Sequence, residues 1–153
     1  MPRDVLVGYD GSDNAKLALR QAIEIAQSTN ARLTVMSVIP DVAATVQGAW
    51  LAGANPQQLE RDMTEQISAT LEEAVAQVPE DVPVTKLLGH GHAGPALVSA
   101  VDEHGCDLVV VGTRGRGAVK SLFLGSVTEH LVTHSSVPIV VVPPPDRLRE
   151  DLA

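Results

Sequence analysis

Aromatic side chains are almost missing from this chain: one Trp, one Tyr and one Phe, 2% of its residues. Hydrophobic residues still make up 44%, so the core has to be aliphatic, built from Val, Leu, Ile and Ala. Cysteine is limited to Cys106, which excludes an intrachain disulfide and gives no sign of an oxidising compartment. No apolar run approaches the ~18 residues of a membrane-spanning helix. Strand-like sequence begins by Val5, which leaves no room for a signal peptide and makes the cytoplasm the expected location. Cations are outnumbered, 11 Lys and Arg against 19 Asp and Glu, for a formal charge of −8. That balance argues against the broad basic face of a nucleic-acid binder. At 153 residues the chain suits one domain with a full core.

What is present alternates. Asp4 to Tyr9 is a continuous apolar run, as strands buried on both faces require. Asp10 to Asp13 breaks it, and Ser12 or Asp13 can cap a helix. From Asn14 to about Gln27, Ala15, Ala18, Leu19, Ala22, Ile23 and Ala26 recur at helical spacing. Arg32 to Ile39 is a second strand, ended by Pro40. Asp41 to Ala54 has little periodicity and reads as a loop, with Trp50 lying over the core edge. Asn55-Pro56 opens a helix whose apolar stripe is Leu59, Met63, Ile67, Leu71, Ala74 and Val78, with an acidic outer face.

Val82 to Leu88 is a third strand, and Gly89 to Pro95 a glycine-rich turn. Ala96 to Glu103 reads as a short helix stopped at Gly105. Asp107 to Val111 is the fourth strand, Ser126 to His134 the fourth helix and Val137 to Val142 the fifth strand. Residues 1–143 form the domain, and the charged tail beyond it, 144–153, is expected to be flexible. This β-α-β-α-β-α-β-α-β order predicts parallel pairing with right-handed crossovers. In such sheets ligands sit at the carboxyl ends of the strands, where strand order switches.

The polar turns fall at that edge: Asp10 to Asp13, Gly89 to Gly94 and Gly112 to Gly117. The third is the most distinctive. Val109 to Val111 is followed by Gly112, Thr113, Arg114, Gly115, Arg116 and Gly117, then Lys120, and closes at Gly125-Ser126-Val127. From Gly112 to Thr128 there are three cations and no acid. Glycines let a ligand approach the backbone N–H groups, and a helix start adds unpaired donors and the positive end of its dipole. A strand, such a loop and a helix start in that order make an anion site, most plausibly for phosphates. It is not a P-loop, because Ala118-Val119 displace Lys120-Ser121 by two positions, and the G-x-G-x-x-G pattern fails as well.

The opening VLVGYDGSDNAKLAL, the later GCDLVVVGTRGRG, the continuation LGSVTEHLVTHSSVPIVVV and the spacing Gly112-x2-Gly115-x9-Gly125-Ser126 resemble the universal stress protein family over residues 4 to 142. The glycine spacing resembles the branch that binds ATP. The resemblance implies an open five-stranded parallel sheet of order 3-2-1-4-5 flanked by helices, Rossmann-like and similar to the adenine nucleotide alpha hydrolases. It also implies ATP binding with slow or no hydrolysis, and homodimers made by pairing the last strands. Carried onto this chain, Gly8 and Asp10 follow the first strand, with Asp10 accepting from ribose hydroxyls or a metal-bound water. Val38 packs on adenine, and Val111 and Gly112 lie beside base and ribose. The backbone of Gly112, Thr113, Arg114, Gly115, Arg116 and Gly117, with Gly125, Ser126 and Val127, holds the phosphates. Gly8 stands where many members carry Pro or a larger aliphatic, which loosens the adenine wall.

Structural readings stand beside these. Ser126-x-x-Glu129 has the form of a capping box. Asp10 has the form of a turn former. His90-x-His92 and His130-x3-His134 have metal-compatible spacing without a Cys partner or HExxH, so they read as structural or solvent-facing. Cys106 reads as an inert packed thiol and Asp107 as a partner of backbone amides. No dedicated base and no P-loop lysine stand out, so a nucleotide-responsive binder is expected rather than a fast phosphoryl-transfer enzyme. The alternatives are a slow ATPase using Mg2+, with Asp10 positioning a water, and a nucleotide-free interaction module. Val137 to Val142 is a long apolar edge strand, for which pairing across a two-fold in a homodimer is the expected remedy.

Overall fold

The computed structural model describes residues 1–41, 50, 53, 55–113 and 125–144. Its elements are β1 (Asp4–Gly8), α1 (Asp13–Thr29), β2 (Arg32–Ile39), α2 (Pro56–Ala76), β3 (Val84–His90), α3 (Ala93–His104), β4 (Leu108–Gly112), α4 (Ser126–His134) and β5 (Ile139–Val142). The strands form one parallel sheet of order β3-β2-β1-β4-β5. This is the architecture that the alternation and the family resemblance imply. The order reverses between β1 and β4, which places the crevice there.

Alternation along each strand divides the core in two. Val5, Val7, Tyr9, Leu33, Val35 and Val110 pack with Ala15, Ala18, Leu19 and Ala22 of α1 and with Leu71 and Ala74 of α2. Leu6, Met36, Val109 and Val111 point the other way, onto Leu97, Ala100 and Val101 of α3 and Leu131 of α4. The helices thus cover both faces of the sheet, and the central strands read as unbroken apolar runs for that reason. Among the described residues no helix is long and apolar enough to cross a membrane.

Helix ends follow local chemistry. Ser12 caps α1, its side chain accepting from the Ala15 amide at 3.1 Å. Asn55 caps α2 through the Gln57 amide at 3.0 Å, with Pro56 in the first turn. Asn30 ends α1 at φ 54°, and Gly105 ends α3 at φ 65°.

Several boundaries differ from the sequence reading. β1 stops at Gly8, α1 runs to Thr29, and β4 lies one residue later than expected, over Leu108–Gly112. β3 extends to His90, because register with β2 continues through Val38↔Gly89 and Ile39↔His90. Gly89 is therefore a strand residue. A Cβ there would collide with Met36 Cε, so the glycine makes room for that methionine. α3 begins at Ala93, with Gly94 and Pro95 inside its first turn, where a proline costs no hydrogen bond. β5 begins at Ile139 rather than Val137, although the Pro138 carbonyl already accepts from the Val109 amide at 3.1 Å. The α2 stripe buries fully only at Leu71 and Ala74.

Trp50 is 70% exposed and does not lie over the core edge. The Gly53 amide donates to the Trp50 carbonyl at 3.2 Å, in a turn that Gly53 permits at φ 74°. The rest of the 41–54 loop, apart from Asp41, and tail residues 145–153 lie outside the described residues. Pro144 is buried, and the Pro143 carbonyl accepts from Asn14 Nδ2 at 3.3 Å.

Candidate functional site

β1 and β4 end side by side at the switch point, and the expected site residues that are described collect there. Gly8 lies on the α3/α4 side of β1: a Cβ on it would stand 3.2 Å from Leu97 Cδ1 and 3.5 Å from Val111 Cγ1. Val38 and Val127 pack against the same buried cluster. Gly8, Val38, Val111 and Val127 therefore share one apolar surface. Leu97 fills the space that a larger residue at position 8 would take.

The polar part of the site is the neck of the glycine loop. The Thr113 carbonyl accepts from the Gly125 amide at 2.7 Å, tying the residue that leaves β4 to the residue that enters α4. Thr128 is buried and its Oγ1 donates to the Gly112 carbonyl at 2.8 Å. Arg114, Gly115, Arg116 and Gly117, named as phosphate contacts, lie outside the described residues.

The α4 start corrects the capping box. Gly125 is the N-cap, with φ −65° and ψ 160°, and among the described residues no side chain caps the helix. The Glu129 amide donates to the Gly125 carbonyl at 3.0 Å, which makes Ser126 the first helical residue, and Ser126 is exposed. The capping box fails because its Ser stands one position too late to reach the N3 amide. α3 likewise starts at His92 without a side-chain cap. The two helices on the site's side thus begin without the side-chain caps that α1 and α2 carry. First-turn amides in that situation favour a negatively charged group.

Asp10 is exposed at the β1 exit, with its Oδ1 accepting from the Ser12 amide at 2.9 Å. The turn-forming role is therefore real, and the carboxylate is also presented at the edge of the site. Tyr9 points to the opposite face, where burial raises its pKa, followed by the charges of Glu73 and Asp10. Its amide donates to the Met36 carbonyl at 2.8 Å, and its carbonyl accepts from Ser37 Oγ at 2.8 Å.

Asp107, Cys106, His130 and His134 have structural surroundings of their own. Asp107 accepts from the Arg3 amide at 2.9 Å and the Asp4 amide at 3.1 Å. Cys106 is buried, and burial first, then Asp4 and Asp107, raises its thiol pKa. The His130 and His134 rings stack at 4.2 Å, with His134 Nδ1 donating to the His130 carbonyl at 3.0 Å. Among the described residues no group of three or more His, Cys, Asp or Glu could hold a metal ion.

Sequence reasoning missed Asn14 and Thr128. Each looks like an ordinary first-turn helix residue, and each is buried against the β4 exit. Their only signal was a polar residue placed where the helix meets a glycine-ended strand.

The comparisons with known proteins bear on the fold and the family. The sequence profile of the universal stress protein family matches residues 1–143. A universal stress protein of Thermus aquaticus, encoded in the QAH/OAS sulfhydrylase 3' region, is 36% identical over 142 residues, covering 93% of this chain and 99% of that protein. A solved universal stress protein in complex with cAMP superposes with a TM-score of 0.68 at 26% identity, covering 93% of this chain and 97% of that one. The hypothetical protein MJ0577 shares the fold, with a TM-score of 0.79 at 21% identity over 92% of this chain and 95% of that chain. The profile match and the Thermus relative together establish that this chain belongs to the universal stress protein family.

Proposed function

We propose that this protein is an ATP-binding, nucleotide-responsive homodimer of the cytoplasm, acting as a regulator in stress response rather than as a fast enzyme. The observation that carries this reading is the loop neck: Thr113 and Gly125 joined at 2.7 Å, opening onto the α4 N-terminus, which lacks a side-chain cap. Helix-start donors without a side-chain cap among the described residues, at the switch point of a parallel sheet, suit phosphates. The apolar surface of Val38, Val111 and Val127 beside it suits a purine. A relative 26% identical to this chain was solved with cAMP, which supports a nucleotide of the adenine class.

In this reading the backbone from Gly112 to Gly117 and from Gly125 to Val127 holds the phosphates, with Arg114 and Arg116 adding charge. Asp10 accepts from the ribose hydroxyls or holds Mg2+ through water. Magnesium would neutralise phosphate charge, and one exposed carboxylate fits a largely hydrated ion of that kind. The dimer would form along β5, the outer strand of the sheet, where Ile139, Val140 and Val141 are only partly buried. Two such edges paired across a two-fold would satisfy each other's backbone groups.

Isothermal titration with ATP tests the reading. Saturable binding by the wild type and its loss in Gly125→Val are expected. Binding that survives Gly125→Val unchanged overturns the assignment of the loop. Phosphate release above that of the Gly125→Val control would move the reading to the slow ATPase.

A further inference from the structure

Asn14 is one of the few buried polar residues among those described, 6% exposed, and it sits in the first turn of α1 rather than on the loop. Its Nδ2 donates to the Val142 carbonyl at 3.0 Å and the Pro143 carbonyl at 3.3 Å, while its Oδ1 accepts from Thr113 Oγ1 at 3.1 Å. The amide orientation is dictated by its partners, because two main-chain carbonyls can only accept. The Thr113 amide also donates to the Val142 carbonyl, at 3.1 Å. A continuous hydrogen-bonded path thus runs from the β5 exit through Asn14 to Thr113, and from the Thr113 carbonyl to the Gly125 amide.

This path joins the start of α1, the exit of β4, the start of α4 and the exit of β5. Gly112 makes the approach possible, since a Cβ there would stand 2.6 Å from Asn14 Cγ. A buried network with each partner satisfied fixes one geometry rather than a range. A mere packing role would be served by an aliphatic residue of similar size. The amide instead holds the residue from which the glycine loop departs and, by the same group, the end of the edge strand.

We infer that Asn14 is a positioning residue for the phosphate loop, setting the loop neck through Thr113 and coupling it to the exit of β5. The inference rests on the nucleotide reading above and adds a residue and a direction of coupling to it. Displacement of the β5 end moves the Asn14 amide, which moves Thr113 and with it the Gly125 amide at the start of α4. Phosphate affinity and the state of the edge strand are then linked, and by reciprocity each biases the other.

The test compares ATP with adenosine, which lacks the phosphates, in the wild type, Thr113→Val, Asn14→Leu, Asn14→Asp and the Thr113→Val/Asn14→Leu pair. Thr113→Val removes one hydroxyl and keeps the size, so it serves if the Asn14 variants fail to fold. Asn14→Asp keeps the size and turns the donors into an anion facing two carbonyls. The preference for ATP over adenosine is expected to fall about tenfold in each single variant, the size of one hydrogen bond in a satisfied network. The double variant is expected to lose little more than either single one, because both cut the same path. Amide exchange at Gly125, measured without nucleotide, is expected to rise in Thr113→Val. An unchanged ATP preference and unchanged Gly125 exchange in the variants, beside a wild type that binds ATP, overturn this inference alone. A wild type that binds neither ATP nor adenosine overturns the nucleotide reading instead.

Discussion

The absent side chain of Gly112 and the amide of Asn14 occupy the same space. A Cβ at 112 would fall 2.6 Å from Asn14 Cγ, 2.8 Å from its Oδ1 and 2.9 Å from its Nδ2. The glycine at the end of β4 is thus required by the protein's own packing before any ligand is considered. Gly112→Ala should therefore destabilise by about 1–3 kcal/mol, as overpacking in a well-filled site does. In an Asn14→Ala background the same substitution should cost distinctly less, because the clash is gone. Thermal unfolding of the four proteins measures the difference, and equal penalties in both backgrounds would refute the contact.

Capping separates two serines that look alike in sequence. Ser12 accepts from the Ala15 amide, and Ser12→Ala should lower stability by about 1 kcal/mol. Ser126 is exposed in the first turn of α4 and caps nothing through its side chain. Ser126→Ala should leave the unfolding temperature close to that of the wild type while weakening ATP binding. A large stability loss in Ser126→Ala would restore the capping role that the structure denies it.

The Asp107 carboxylate collects the Arg3 and Asp4 amides, tying the start of β1 to the start of β4. Removing it leaves those amides to water or to nothing. Asp107→Ala should cost about 1–2 kcal/mol by denaturant unfolding, without change in nucleotide affinity, since the pair lies at the amino end of the strands. A selective loss of ATP binding would contradict that separation.

Cys106 gives a pH dependence whose sign is fixed. Burial, with Asp4 and Asp107 nearby, raises its pKa in the folded protein. The unfolded chain therefore loses the thiol proton first as pH rises past about 8.5. The contribution to stability is intact below that value and is lost as pH climbs towards the raised folded pKa. The wild type should lose stability on the alkaline side more steeply than Cys106→Ala. In the native state the thiol should resist alkylation at neutral pH. Parallel alkaline limbs for the two proteins would contradict the burial argument.

The fold was legible because its signals are local and redundant. Long apolar runs separated by helical spacing leave few topologies, and the turn residues fell at one edge. The boundaries were less legible where tertiary contacts decide them. Gly89 reads as a turn residue in sequence, yet pairing with Val38 keeps it in β3, where its missing side chain leaves room for Met36. Ser126 reads as a cap, yet the Glu129 amide chooses the carbonyl of Gly125. Near the switch point, the glycine spacing and the family likeness point to Gly8, Val38, Val111, Gly112, Thr113, Gly125 and Val127, whose packing and hydrogen bonds the structure describes. Asn14 is not among them, because a buried amide and a solvated cap use the same residue types at helix starts. Only the sheet's closure at Val142 reveals which of the two it is.

The central claim is that the neck between Thr113 and Gly125 opens onto an adenine nucleotide site. Mass spectrometry of small molecules released from the denatured protein, wild type beside a Gly115→Val/Gly125→Val double variant, tests it most directly. The account predicts ATP from the wild type and none from the variant. Absence of nucleotide from both, with no thermal shift when ATP is added to the wild type, would contradict it.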